Sequence, residues 1–163
     1  MRDMFDEADG LVSRRETGSL FEAALEGNLH TVALDLVTAH IPEAAGLLYR
    51  QDSAVAANND VMHRRLGGGA MPPFPASQAA RCALFQAHRQ QAVGAVFTSS
   101  ALMPREAFRT TRFYTEWLSK AGELDAVSGV VIARDGAVQT VLELRYPAHE
   151  ARQLEARAVA LLE

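Results

Sequence analysis

The chain has 163 residues, 48% of them hydrophobic and 22% charged, a balance that excludes a disordered chain and suits one globular domain. Sixteen Lys and Arg against twenty Asp and Glu give a net charge of −4, which argues against this chain gripping nucleic acid phosphates by itself. Cys82 is the only cysteine, so an intrachain disulfide and a cysteine-cluster metal site are both excluded, and a reduced cytoplasmic setting is expected.

The first fifteen residues are charged and small and are expected to be flexible. They carry Asp3, Asp6, Glu7 and Asp9 without the apolar core of a signal peptide. Leu20, Phe21, Ala24 and Leu25 then recur at helical spacing, with a stop at Gly27-Asn28. Leu29, Val32, Ala33, Leu36, Val37 and Ile41 predict a second helix, ended by Pro42. Ala44 to Arg50 reads as a buried strand, Gln51-Asp52-Ser53 as a turn and Ala54 to Ala57 as a returning strand. Asn58-Asn59-Asp60 would then cap a short helix over 61–66. Three glycines and three prolines in the nine residues from Gly67 to Pro75 make a loop.

An Ala-rich helix is predicted over 78–91, a short extended piece over 93–97, and a helix opened by Pro104 that runs to about Ser119 and stops at Gly122. The clearest element is a hairpin over 127–146 turning at Asp135-Gly136, with Arg134 opposite Ala137 and Val131 opposite Thr140. One face would carry Val127, Val131, Val138, Leu142, Leu144 and Tyr146. The other would be mostly polar, so the sheet is expected to pack on one side. A last helix follows Pro147 with an apolar stripe of Ala151, Leu154, Ala158, Leu161 and Leu162. It is still periodic at residue 163, and a natural protein continuing beyond is the expectation. No apolar run is long enough to span a bilayer.

Catalytic and metal motifs are missing. Gly67–Gly69 has no phosphate-loop continuation, and His30, His40, His63, His88 and His149 form no chelating pair, so they read as solvated or singly hydrogen-bonded. Cys82, beside Ala83 and Phe85, reads as a small buried hydrophobe. No enzyme activity, cofactor or metal is expected. The feature to keep is the aromatic cluster Phe113, Tyr114 and Trp117, which packs in a core or lines a ligand pocket.

The stretch VGAVFTSSALMPREAFRTTRFYTEWL, followed by AVSGVVIARDGAVQTVLELRY, resembles the N-terminal sensory region of bacterial LuxR-type helix-turn-helix transcriptional regulators. Leu102, Met103, Pro104, Arg105, Glu106, Phe108, Phe113, Tyr114, Glu116, Trp117 and Leu118 carry it, with Arg134, Asp135, Gly136 and Arg145. The resemblance covers roughly 16–163 and is sharp over about 93–146. It implies a single PAS/GAF-like α/β (α+β) domain over 16–163, an antiparallel sheet with flanking helices. It also implies a small-molecule effector and a DNA-binding helix-turn-helix domain that this chain lacks, with a homodimer as the expected assembly. The expected pocket lies between the sheet and the 104–119 helix, walled by Tyr49, Phe85, Phe113, Tyr114, Trp117, Val131, Leu142 and Leu144, with Arg112 or Arg145 available to an anionic group. The rivals are a ligand-free dimerisation scaffold and a small α/β enzyme. A cavity of a few hundred cubic ångströms at the sheet–helix junction separates sensor from scaffold.

Overall fold

A computed structural model describes residues 14–66 and 72–163. The flexible reading of 1–15 lies outside the described residues up to residue 13, while Arg14 and Arg15 already belong to the first helix, and most of the Gly-rich loop lies outside as well. The chain opens with two helices, α1 (Arg14–Glu26) and α2 (Leu29–His40), then β1 (Ala45–Asp52) and β2 (Asp60–Arg64). Short helices follow: α3 (Ala76–Arg81) and α4 (Ala83–His88). After β3 (Val96–Thr98) come α5 (Ser99–Leu102), α6 (Arg105–Arg109) and α7 (Arg112–Glu116). The chain ends with β4 (Ala126–Asp135), β5 (Val138–Tyr146) and α8 (Ala151–Leu162). All strand pairs are antiparallel, and the order β2-β1-β5-β4-β3 makes β5 the central strand of five. The α/β architecture with an antiparallel sheet and flanking helices is thus the observed one.

Both faces of this sheet are covered, which corrects the one-sided packing expected from the hairpin. Side chains alternate across a strand, so Tyr49, Val127, Val131 and Val141 point to one face with Phe85, Phe97, Phe113 and Trp117. Leu48, Val130, Leu142, Leu144 and Tyr146 point to the other, against Leu34 of α2 and Leu154 and Ala158 of α8. The apolar stripe of α8 therefore closes the second face. Arg157 joins α8 to α2 by donating to the His40 carbonyl (3.2 Å) at the end of that helix. Close approach of α2 needs Gly46, where a Cβ would come within 2.5 Å of Thr38 Cγ2.

Local differences from the sequence reading have identifiable causes. The returning strand is Asp60–Arg64, and Ala56–Asn58 is a turn of 3₁₀ helix. Asp52 sets this up: its carboxylate accepts from the Ala54 and Val55 amides (2.9 and 3.0 Å) and from Asn58 Nδ2 (2.8 Å), while Asn59 Oδ1 accepts from the Asp52 amide (2.6 Å). Such side-chain closure of a turn competes with both strand and helix. The helix predicted over 78–91 breaks at Cys82, whose ψ is 128°. The helix expected from Pro104 breaks into α6, α7 and a 3₁₀ turn over Leu118–Ala121. Thr111 restarts it as an N-cap accepting from the Tyr114 amide, and Gly122 ends it at φ +122°.

The hairpin is present but its register differs. Arg134 faces Gln139 and Val131 faces Val141, with an irregularity at Ile132, because Gly136 and Ala137 are the two turn residues. Gly136 alone of the pair has positive φ (55°), as a turn with glycine first requires.

Candidate functional site

The shifted register decides what lies beneath the aromatic layer. On β5, Gln139, Val141, Glu143 and Arg145 share the face that carries Tyr49 and Gln51 of β1, so two charged residues stand on the central strand with no solvent access. Burial alone would raise the Glu143 carboxyl. The Arg145 guanidinium and His88 outweigh that and hold it below the usual carboxylate range. Burial likewise disfavours the Arg145 charge, and Glu143 more than restores it. Arg145 Nε donates to Glu143 Oε2 (2.6 Å), its Nη1 donates to the Leu124 carbonyl (3.3 Å), and its guanidinium lies 5.0 Å from the Phe108 ring centre. Phe108 reaches this spot because the chain breaks before α7, and it packs edge-on to Tyr114.

His88 is held over the same pair. Gly129 lacks the Cβ that would meet Phe97 Cζ at 2.6 Å, so the Phe97 ring lies over β4 and His88 stacks on it at 4.8 Å. His88 Nε2 then stands 3.0 Å from Glu143 Oε1, off the line of a hydrogen bond. His88 is thus fully buried beside an ion pair and makes a single hydrogen bond, with Gln51 (3.0 Å), as its singly hydrogen-bonded reading expected.

Four buried polar atoms in this cluster find no hydrogen-bond partner: Tyr49 Oη, His88 Nε2, Glu143 Oε1 and Arg145 Nη2. Tyr49 belongs with them, since burial pushes its phenol well above the ordinary value, Glu143 adds to the push and Arg145 opposes it. A buried unsatisfied polar group costs about 1–3 kcal/mol, so a cluster of them calls for a guest or ordered water.

The cluster adjoins a crevice of about 220 Å³ at the Ala126–Arg145 end of the sheet. Its apolar lining includes Leu84, Met103, Phe108, Val127 and Ala151, while Arg145 and Asp125 supply charge and Glu155 of α8 stands at its edge. Asp125 is fully buried; it pairs with Arg105 and accepts from the Ala148 amide (3.0 Å), so it ties α6 to the approach of α8.

Sequence had placed the pocket elsewhere. Tyr49, Phe85, Phe113, Tyr114, Trp117 and Val131 do share one cluster, but their rings pack on one another. Centroids lie 4.8 Å apart for Tyr49–Phe85, 5.1 Å for Phe85–Phe113 and 5.5 Å for Phe113–Trp117, and Trp117 Nε1 donates to the Pro72 carbonyl (3.0 Å). Leu142 and Leu144 lie on the opposite face with α2 and α8 and cannot share a wall with those six. None of the predicted wall residues lines the crevice at the Ala126–Arg145 end, but Phe113 and Arg112 line a second cavity of about 220 Å³ with Gln78, Arg81, Cys82 and Thr111. Of the two arginines singled out, Arg145 is wholly buried, whereas Arg112 is exposed and pairs with Glu116 one helical turn on. Sequence reasoning missed His88, Gln51, Gln139 and Asp125. The available signal was the alternation of Gln139, Glu143 and Arg145 with apolar residues on a long strand that has neighbours on both sides.

Among the described residues no group of three or more His, Cys, Asp or Glu side chains is arranged to hold a metal ion, and no helix is long and apolar enough to cross a membrane. Cys82 is buried, and burial pushes its thiol up, away from nucleophile chemistry.

The fold and this site together define an α/β domain with a five-stranded antiparallel sheet covered on both sides and a polar cluster under a crevice. The solved structure of the VqsR LBD domain from Pseudomonas aeruginosa is similar: the TM-score is 0.57 at 14% identity, over 91% of this chain and 92% of that one. At that identity the likeness is one of fold. No protein-family model matches the sequence, and no curated protein matches it.

Proposed function

We propose that this chain is the signal-receiving domain of a LuxR-type transcriptional regulator, binding a small molecule in the crevice bounded by α5, α6 and α8. The observation that carries the reading is the pair of buried polar atoms without a hydrogen-bond partner, Tyr49 Oη and Arg145 Nη2, the second belonging to a residue that lines the crevice. A guest would place a polar group toward Arg145 and apolar atoms against Leu84, Met103, Phe108 and Val127. Because Ala151 and Glu155 line the same crevice, an occupant touches α8 directly. A guest that prefers one placement of α8 shifts the population toward it, and α8 relays that change to a DNA-binding helix-turn-helix domain outside this chain. The similarity in fold to the VqsR LBD domain supports this reading, which includes a cytoplasmic homodimer and no enzyme activity.

The test is a small-molecule screen by thermal unfolding of the whole chain. A true effector raises Tm progressively with concentration, and Ala151→Phe, which fills the crevice, abolishes the rise while leaving the unliganded Tm within a few degrees of the parent. Hits that act equally on both proteins, or a broad screen without a hit, overturn the sensor in favour of a ligand-free dimerisation scaffold.

A further inference from the structure

A chain of hydrogen bonds runs beneath the aromatic layer from the β4–β5 turn to His88, which faces Glu143, and its direction is set at the surface end. Arg134 Nη2 donates to the carbonyls of Arg89 (3.2 Å) and Gln91 (2.7 Å) and to Gln139 Oε1 (3.0 Å). A guanidinium has donors only. Gln139 must therefore turn its oxygen to Arg134, and its Nε2 donates to Gln51 Oε1 (2.6 Å). Gln51 then offers its Nε2 to His88 Nδ1 (3.0 Å), which must be the bare nitrogen, so the imidazole proton sits on Nε2 facing Glu143. Reversing one amide reverses the next. The chain has two arrangements rather than a continuum, and Arg134 selects this one.

The surface end opens into a cleft of about 170 Å³ lined by Ser53, Arg89, Arg134, Gln139 and the turn residues, with no carboxylate in the lining. The Arg89 guanidinium makes no hydrogen bond or ion pair among the described residues. Two guanidiniums lining one cleft with no carboxylate in the lining match the charge and the donor-only chemistry that a small oxyanion needs.

We propose that this cleft binds an oxyanion of the phosphate or sulfate class through Arg89 and Arg134, and that its occupancy is read at His88 through Gln139 and Gln51. The anion draws the Arg134 guanidinium toward the cleft and weakens the constraint that orders the two amides. A two-state element biased from both ends is what coupling between sites requires. This holds whether or not a molecule fills the crevice.

The experiment titrates the whole chain, labelled with ¹⁵N-histidine, with sulfate against chloride at equal ionic strength and fixed pH. Sulfate is expected to move the His88 ring resonances saturably, with the same Kd by calorimetry, and chloride is not. Arg89→Ala, at a partly exposed position that the fold does not depend on, is expected to weaken sulfate about tenfold, the scale of one charge-assisted hydrogen bond. Gln51→Leu, in the relay but outside the lining of the cleft, is expected to keep sulfate binding and silence His88. A response that follows ionic strength alone, an unchanged Kd in Arg89→Ala, or saturation of the cleft with His88 unmoved each overturns the proposal, and the first two stand even if Gln51→Leu does not fold.

Discussion

Glu143 and Arg145 sit two positions apart on the central strand, each with no solvent exposure. The free energy of such a pair is asymmetric: forming it recovers a large desolvation cost, and removing one partner strands the other. Arg145→Met leaves Glu143 buried beside Tyr49 and His88, and a loss of about 3–5 kcal/mol in unfolding free energy is expected by denaturant titration. Glu143→Leu with Arg145→Met removes both charges and is expected to recover most of that loss. The pH dependence follows from the same cause. Burial raises the Glu143 carboxyl, Arg145 and His88 lower it further, and the folded value ends below the unfolded 4.5. A depressed folded value stabilises above the unfolded one, so this contribution is complete above about pH 4.5 and is lost as pH falls through the folded value. In Arg145→Met only His88 opposes the burial. The folded value is then expected to rise above the unfolded one, and stability in that variant should decline as pH climbs through the carboxylate range. Unfolding curves from pH 3 to pH 7 check the reversal of slope.

At the scale of elements, glycine placement positions the cluster more than helix propensity does. A Cβ on Gly129 would meet Phe97 Cζ at 2.6 Å and the Leu142 carbonyl at 2.8 Å, and the carbonyl cannot retreat without breaking the β4–β5 ladder. Gly129→Ala is expected to cost about 1–3 kcal/mol, the range for overpacking a core. It should also push Phe97 off His88, seen as a changed ring-current shift at the His88 imidazole. The hairpin was legible in the sequence because an Asp-Gly pair between alternating runs is a local signal, yet its register was not. The turn residues are Gly136 and Ala137, and the irregularity at Ile132 moves the pairing again. Each slip by one residue exchanges the two faces, which is why Leu142 and Leu144 were assigned to the wall of the other face. The long helix expected after Pro104 failed for a related reason. Periodicity reports which residues are buried, and Phe108, Phe113 and Trp117 are, but it does not reveal the Thr111 cap that bends the chain between them.

The whole molecule is a three-layer arrangement in which α2 and α8 cover one face of the sheet and the short helices between β2 and β4 cover the other. The two layers meet at the Ala126–Arg145 end, and there the crevice opens. Sequence could foresee neither the second layer nor the crevice, because the short helices lack individual amphipathic signatures and gain their burial only against the sheet. Asp125 joins the layers at that end: it pairs with Arg105 and accepts from the Ala148 amide, holding α6 and the approach of α8 to one carboxylate. If α8 is the part that moves, its first turn must be less firmly held than the strands, and Asp125 is its main polar tether at that end. Asp125→Ala is expected to speed amide hydrogen exchange over Arg105–Arg109 and in the first turn of α8, leaving the β4–β5 amides protected to nearly the parent level. Equal loss of protection throughout the sheet would mean that Asp125 supports the whole fold. An unchanged α8 would mean that the Leu154 and Ala158 packing alone fixes the helix. Either result separates the crevice from the motion assigned to it.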